Sequence, residues 1–277
     1  MEKPGSVASL LKKYDITPRK SLGQNFLFND YYLEKIVQAA VVTPDSSVLE
    51  IGPGLGSLTR FLAASASRVL AVELDPRLVE ILQSEFAELD NVRIIHGDIL
   101  SVPLEQLELS EGYLVVANIP YYITSAIIRR LLEAPIKPQR ILLTIQREVA
   151  DRVCAQPGDM SLLSLSVQVY GTPRKVLRIP AEAFYPAPNV DSSVLLVDLY
   201  PQPLIPAVNI EAFFTLAKAG FSQKRKILRN ALAGGLGWKP DRVEGLLATA
   251  GIDTKRRAET LSIEEWDRLT AAYIVCP

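Results

Sequence analysis

Histidine is nearly absent from this chain: His96 is the only one among 277 residues. A mechanism built on a histidine base, or a metal cage of imidazoles, has almost nothing to draw on. His96 lies in an apolar run and reads as a strand residue rather than a catalyst. Cysteine is as scarce. Cys154 and Cys276 lie far apart and follow no metal-ligand spacing, which argues against a disulfide framework or a zinc site. No metal is expected. Long apolar runs are missing too: no uninterrupted stretch reaches membrane-spanning length, and MEKPGSVASLLKKY lacks the apolar core of a signal peptide. The expectation is a soluble, cytoplasmic protein with no membrane contact. Net charge is only −1, so overall charge points to no polyanionic partner. Any nucleic-acid surface must come from cations gathered locally.

What is present is alternation. From residue 47 the apolar runs SVLEI, VLAVEL, VRIIHGDI, YLVVAN and RILLTI are separated by the amphipathic segments LTRFLAASA, PRLVEILQSEFAEL and SAIIRRLLEA. Strands and helices in this order imply parallel strands joined by right-handed crossovers, covered on both faces. The predicted fold is α/β, a Rossmann-like, mostly parallel sheet with ligands at the carboxyl ends of its strands. After residue 160 come SLLSLSVQVYG, KVLRIP, the Pro-rich AFYPAPNVD and SSVLLVDLY, which suggest an antiparallel pair at one sheet edge. PQPLIPAV reads as a linker. The predicted division is residues 1–203 as the α/β domain with a basic N-terminal arm, and 204–277 as a small all-α domain.

VLEIGPGLGSLT sets Gly52, Gly54 and Gly56 between a strand and a helix, where backbone N–H groups can approach a ligand closely. A glycine turn without a ligand remains the alternative. Glu73 ends the second strand, placed to accept from ribose hydroxyls. Asp98 ends the third, placed to receive an adenine amino group. Either acid alone could be a solvated loop charge or a helix cap. The spacing is GxGxG with Glu50 two residues upstream, not the GxGxxG of pyrophosphate-binding folds. That favours S-adenosylmethionine over a nicotinamide dinucleotide.

The fourth strand runs into NIPYYITS, residues 118–125. A turn accounts for Asn118 and Pro120, but requires no aromatic residue after the proline. An exocyclic amine on a purine would supply the reason. Its lone pair is delocalised into the ring; two acceptors, the Asn118 carboxamide oxygen and the Ile119 carbonyl fixed by Pro120, would draw it towards a pyramidal geometry. Tyr121 then offers a ring for the base to stack on. Such a transfer needs positioning more than a strong base, so the lack of histidine is no obstacle. A turn with a core tyrosine is the bland alternative.

Taken in order, KSLGQNFL, EIGPGLGSLT, VELD, GDIL, NIPYYITS, AFYPAPNVDSSV and FSQKRKILRNAL resemble the ribosomal RNA adenine N6,N6-dimethyltransferases, most closely their bacterial small-subunit branch. The resemblance spans nearly the whole chain. It implies that Asn25 and Leu27 close over the cofactor, with Gly52 at its methionine moiety, Glu73 on the ribose, Asp98 at the adenine and Asn118 at the target amine. It implies that Phe184 faces Tyr121 across the target base, where an ordinary core phenylalanine is the alternative. The implied substrate is a pair of adjacent adenosines in a hairpin loop near the 3′ end of 16S rRNA, in immature small ribosomal subunits; a monomer is expected, although the sequence leaves the oligomeric state open. Ile119 stands where leucine is frequent, which leaves the carbonyl available. Ile227 stands where threonine is frequent, so a hydroxyl contact there is lost.

Residues 212–240 hold Lys218, Lys224, Arg225, Lys226, Arg229 and Lys239 and no acid. Cations on a helix there could engage RNA phosphates, although such runs are often only a solvated helix face. Phe213, Phe214 and Phe221 read as core. Lys12, Lys13, Arg19 and Lys20 form a second patch near the N-terminus. Three rival enzymes fit parts of the pattern: a large-subunit rRNA methyltransferase, a DNA adenine methyltransferase with Asn-Pro-Pro-Tyr, and a dehydrogenase. A non-catalytic RNA-binding assembly factor is the rival of another class.

Overall fold

The computed structural model describes residues 11–276; the first ten residues of the basic arm lie outside the described residues. In chain order the elements are β1 (Phe26–Leu27), α1 (Asp30–Ala40), β2 (Ser47–Ile51), α2 (Ser57–Ala63), β3 (Arg68–Glu73), α3 (Pro76–Glu85), β4 (Val92–His96), β5 (Leu114–Asn118), α4 (Thr124–Leu132), β6 (Arg140–Gln146), α5 (Arg147–Val153) and α6 (Leu162–Gln168). They continue with β7 (Gly171–Ile179), β8 (Phe184–Tyr185), β9 (Ser192–Leu199), α7 (Ile210–Phe221), α8 (Leu228–Leu236), α9 (Pro240–Thr249) and α10 (Ile263–Ile274).

Seven strands form one sheet in the order β4-β3-β2-β5-β6-β9-β7. The β3–β4, β2–β3, β2–β5 and β5–β6 pairs are parallel, and β9 runs antiparallel to β6, with Leu143 opposite Leu195. The expected mostly parallel sheet with an antiparallel strand towards one edge is what forms. Val48, Leu49, Val69, Leu70, Val115 and Val116 are fully buried, because helices cover both faces and leave no side for polar alternation. Edge strand β4 is the exception, with Arg93 and His96 exposed. β1 and β8 make a separate antiparallel pair, Phe26 opposite Tyr185 and Leu27 opposite Phe184. Among the described residues no helix is long and apolar enough to cross a membrane.

The chain divides into two units, but not at residue 203. Residues up to Ala150 with Pro173–Leu199 form the sheet unit; Asp151–Thr172 with the chain from Tyr200 onward form the helical one. The physical reason is burial. Met160, Leu165 and Val169 pack with Phe213, Leu216 and Trp266 in the helical core. A capping box between Ser161 and Ser164 starts α6, so SLLSLSVQ, whose spacing suits either period, becomes a helix. PQPLIPAV is correspondingly no loose tether, since Ile205 is fully buried and the Leu204 N–H donates to the Val169 carbonyl at 2.8 Å. Phe213 is core as expected, and Phe214 and Phe221 pack against that core partly buried.

Ile227 holds the N-cap position of α8 with extended backbone and no side-chain cap. A hydroxyl there would accept from an otherwise unsatisfied first-turn N–H. Ile227→Thr is therefore expected to stabilise the protein by about 0.5–1 kcal/mol, read as a higher midpoint of urea unfolding.

Candidate active site

The site grows from the carboxyl ends of four neighbouring parallel strands. After β2 the chain turns through Gly52, Gly54 and Gly56, all with positive φ. Gly54 shows why no side chain is admitted: a Cβ there would stand 2.9 Å from the Phe26 ring, and its φ of +63° is costly for any other residue. The Gly54 N–H donates to Glu73 Oε2 at 3.1 Å, and the Asp75 N–H donates to Glu73 Oε1 at 2.9 Å. Glu73 thus clamps the turn after β2 to the turn after β3. Burial pushes its carboxyl above the usual range, against the pull of these backbone donors.

One cavity is lined by Asn25, Leu27, Gly52, Gly54, Glu73, Asp98, Asn118, Ile119, Pro120 and Tyr121. All the cofactor-binding and catalytic residues expected from the sequence come together there except Phe184. Asp98 Oδ1 accepts from the Leu100 N–H at 2.9 Å, which orients the carboxylate as β4 ends. Asn118, the last residue of β5, donates from Nδ2 to the Asn25 carbonyl at 3.1 Å. That bond uses one of the carboxamide's two N–H donors, and Oδ1, which has no partner among the described residues, is left to accept. Among the described residues no hydrogen bond reaches the Ile119 carbonyl either. The Tyr121 hydroxyl is 2.7 Å from Ser192 Oγ on β9, so the ring is fixed at both ends. Burial pushes this hydroxyl above its ordinary range.

Phe184 is a correction. Its ring is 2% exposed and packs with Leu27, Leu33, Ile36 and Leu196 instead of lining the cavity. Alternation along β8 turns Phe184 inward and leaves Tyr185 outward. Phe184 backs Leu27, its partner across the β1–β8 pair.

The arm is held onto the site by an acid that the sequence did not single out. Asp75, fully buried, caps α3 and accepts from Arg77; Gln24 Nε2 also donates to it at 3.1 Å, and Arg19 stands 3.5 Å away. The Arg77 guanidinium, above all, holds the Asp75 carboxyl down at about 2. Leu11, Ile16 and Phe26 pack against Leu55, Leu78 and Ile81 beneath. Of the arm's four described cations, Lys13 pairs with Glu85 and Arg19 with Asp75, leaving Lys12 and Lys20 without an ion pair among the described residues. In the helical unit, Lys224, Arg225 and Lys226 lie exposed in the turn between α7 and α8, not on a helix, and Lys218 is exposed on α7. Arg229 on α8 departs from the expected free face, with its Nε 2.6 Å from Glu244. Glu50, Asp75, Tyr122 and Ser192 were missed as site residues. Only Glu50 carried a signal, its place directly before the glycine turn.

The cavity can be tested against the expected cofactor. Its acidic lining residues are Glu50, Glu73 and Asp98, and no lysine, arginine or histidine lines it. Three carboxyls without a cation suit a ligand that is itself cationic, such as a sulfonium with an ammonium group, and oppose a pyrophosphate. A Cβ on Gly52 would meet nothing within 4 Å, so the turn leaves open space at that point. S-adenosylmethionine fits these residues.

Comparison with known proteins agrees with the geometry. The family model for ribosomal RNA adenine dimethylase matches residues 16–274. The ribosomal RNA small subunit methyltransferase A of Dehalococcoides mccartyi is 48% identical over 97% of this chain and 92% of its own length. Its counterpart from Alkaliphilus metalliredigens is 42% identical over 96% of each. Among solved structures, the 23S rRNA methyltransferase ErmE superposes with a TM-score of 0.71 at 29% identity, covering 90% of this chain and 99% of its own. A dimethyladenosine transferase from Plasmodium falciparum shares the fold with a TM-score of 0.75 at 23% identity, covering 87% and 94%. With its glycine turn, three strand-end acids and NIPY turn meeting in one cavity, and its sequence matched from Ile16 to Ile274, the chain belongs to the ribosomal RNA adenine dimethylase family.

Proposed function

We propose that this S-adenosylmethionine-dependent methyltransferase dimethylates N6 of two adjacent adenosines in a hairpin loop near the 3′ end of 16S rRNA. The substrate is RNA within immature small ribosomal subunits, and the protein works as a cytoplasmic monomer. One observation carries the reading. Asn118 gives its amide donor to Asn25, so that Oδ1 and the Ile119 carbonyl are left as acceptors in the cavity that Glu73 and Asp98 also line.

When bound, S-adenosylmethionine supplies a methyl carbon whose bond to sulfur breaks as the amine nitrogen attacks it. Asn25, Leu27, Gly52, Gly54, Glu73 and Asp98 would hold that cofactor, the acids accepting from its hydroxyl, ammonium and amino groups. Asn118 and Ile119 accept the two N–H bonds of the adenine amine, which localises the nitrogen lone pair and aims it. Once methylated, the nitrogen is cationic and sheds its proton to solvent, so no residue has to act as a strong base. Tyr121, tethered through Ser192, presents its ring to the base. Extruding an adenine is least costly from a loop or single strand. Lys218, Lys224, Arg225, Lys226 and Arg229 would engage RNA phosphates, with Arg229 required to share itself with Glu244.

The test is incubation with methyl-labelled cofactor and immature small subunits, followed by nucleoside mass analysis and primer extension. Dimethyladenosine at two neighbouring loop positions of 16S rRNA is expected. Label confined to large-subunit rRNA, or none, would overturn the assignment.

A further inference from the structure

Tyr121 and Tyr122 are consecutive, yet the fold uses them in opposite ways. Tyr121 is tied through its hydroxyl to buried Ser192. Tyr122 also lines the cavity, but it is 62% exposed and its hydroxyl has no hydrogen bond among the described residues. Packing does not need this ring. What positions it is Gly23: a Cβ built there would stand 3.3 Å from Cδ1 and Cε1 of Tyr122. Gly23 ends the short helical turn Lys20–Leu22. The first residue of that turn is exposed Lys20, which has no ion pair among the described residues. The cavity therefore carries an exposed aromatic ring braced on a glycine, and the turn that this glycine ends begins with exposed Lys20.

Placing one adenine in the cavity removes it from its stack, so its neighbour in the strand loses a stacking face. An aromatic ring at the rim restores that face without reading the base, and a cation beside it offsets the intervening phosphate. We infer that Tyr122 is a second base-binding residue, stacking on the nucleotide adjacent to the one being methylated, with Lys20 on the phosphate between them. This rests on the proposed RNA adenine substrate and adds a role at its edge. Tyr121 serves the reacting base; Tyr122 serves its neighbour and thereby holds the strand in register.

The experiment uses the full-length protein with its rRNA substrate and compares Tyr122→Ala, Tyr122→Phe and Lys20→Gln. Tyr122→Ala is expected to raise KM for RNA about tenfold while kcat and the calorimetric affinity for S-adenosylmethionine change little. Tyr122→Phe should restore most of that loss, since stacking needs the ring and not the hydroxyl. Lys20→Gln should lower the slope of log affinity against log salt by about 1, with Tyr122→Ala leaving the slope alone. A KM within twofold of the parent in Tyr122→Ala would overturn the inference. So would a parallel loss of cofactor affinity, which would make Tyr122 a brace for the arm. Failure of the parent to methylate RNA would instead sink the substrate assignment itself, so the two failures are distinguishable.

Discussion

Asn118→Ala is expected to slow methyl transfer by roughly 10²–10³-fold, the usual cost of removing one preorganised partner from a reacting centre, while RNA affinity stays within a few-fold of the parent. The asymmetry follows from what the side chain does. Its Nδ2 bond to the Asn25 carbonyl, at 3.1 Å, helps pin the arm and contributes about 0.5–1.5 kcal/mol. Cofactor affinity should therefore fall by no more than about tenfold. Its Oδ1 has no partner among the described residues and is the acceptor proposed for the substrate amine; alanine offers nothing in its place. Single-turnover rates with saturating cofactor and RNA separate the two effects. Parent-like turnover in Asn118→Ala would show that the amine is activated elsewhere. Loss of RNA binding with turnover retained would make Asn118 a binding residue only.

Why Asn118 could be picked out from sequence, and other residues could not, is a matter of range. The parallel strands were legible because burial on both faces leaves continuous apolar runs, and Val69–Val72 or Val115–Ala117 admit no other placement. Strand ends then located Gly52, Glu73, Asp98 and Asn118, since in such a sheet the polar residue that breaks an apolar run sits at the carboxyl edge. Choices between distant partners were not legible. Residues 151–172 join the helical unit because Leu165 and Val169 meet Phe213 and Trp266, and no local pattern says which core an apolar segment will enter. Phe184 points inward because β8 pairs with β1, and a one-residue change of register would have exchanged it with Tyr185. The pairing of Arg229 with Glu244 and the capture of Gln24 and Arg19 by Asp75 are likewise tertiary. For Glu50, the sequence shows an acid in an apolar strand but not the degree of burial that decides its charge.

Glu50→Gln is expected to move stability and cofactor affinity in opposite directions. Glu50 is 1% exposed, and its Oε2 is buried without a hydrogen-bond partner. Burial pushes its carboxyl from the ordinary 4.5 up to about 8, with Glu73 adding to the shift and the Thr59 hydroxyl opposing it. The folded chain thus keeps this proton where the unfolded chain has released it. Its contribution to stability is complete below about 4.5, declines as pH rises, and is exhausted once pH passes about 8. The slope in that window approaches 1.4 kcal/mol per pH unit, roughly the cost of one pKa unit. Glutamine carries no such proton. The variant's unfolding midpoint minus the parent's should therefore widen from pH 5 to 8 and then level off, as followed by thermal melts in matched buffers. A constant difference would mean that Glu50 ionises freely in the folded chain. Affinity should fall, because the cavity loses one of the three carboxyls that suit a cationic ligand. Above about pH 8, where the Glu50 carboxyl is ionised, loss of a charge-assisted contact of about 1.5–3 kcal/mol corresponds to a rise in Kd for S-adenosylmethionine of roughly 10–100-fold. A buried acid serving only the core would give the pH-dependent gain without this loss; an acid kept buried beside the glycine turn for a cationic ligand gives both.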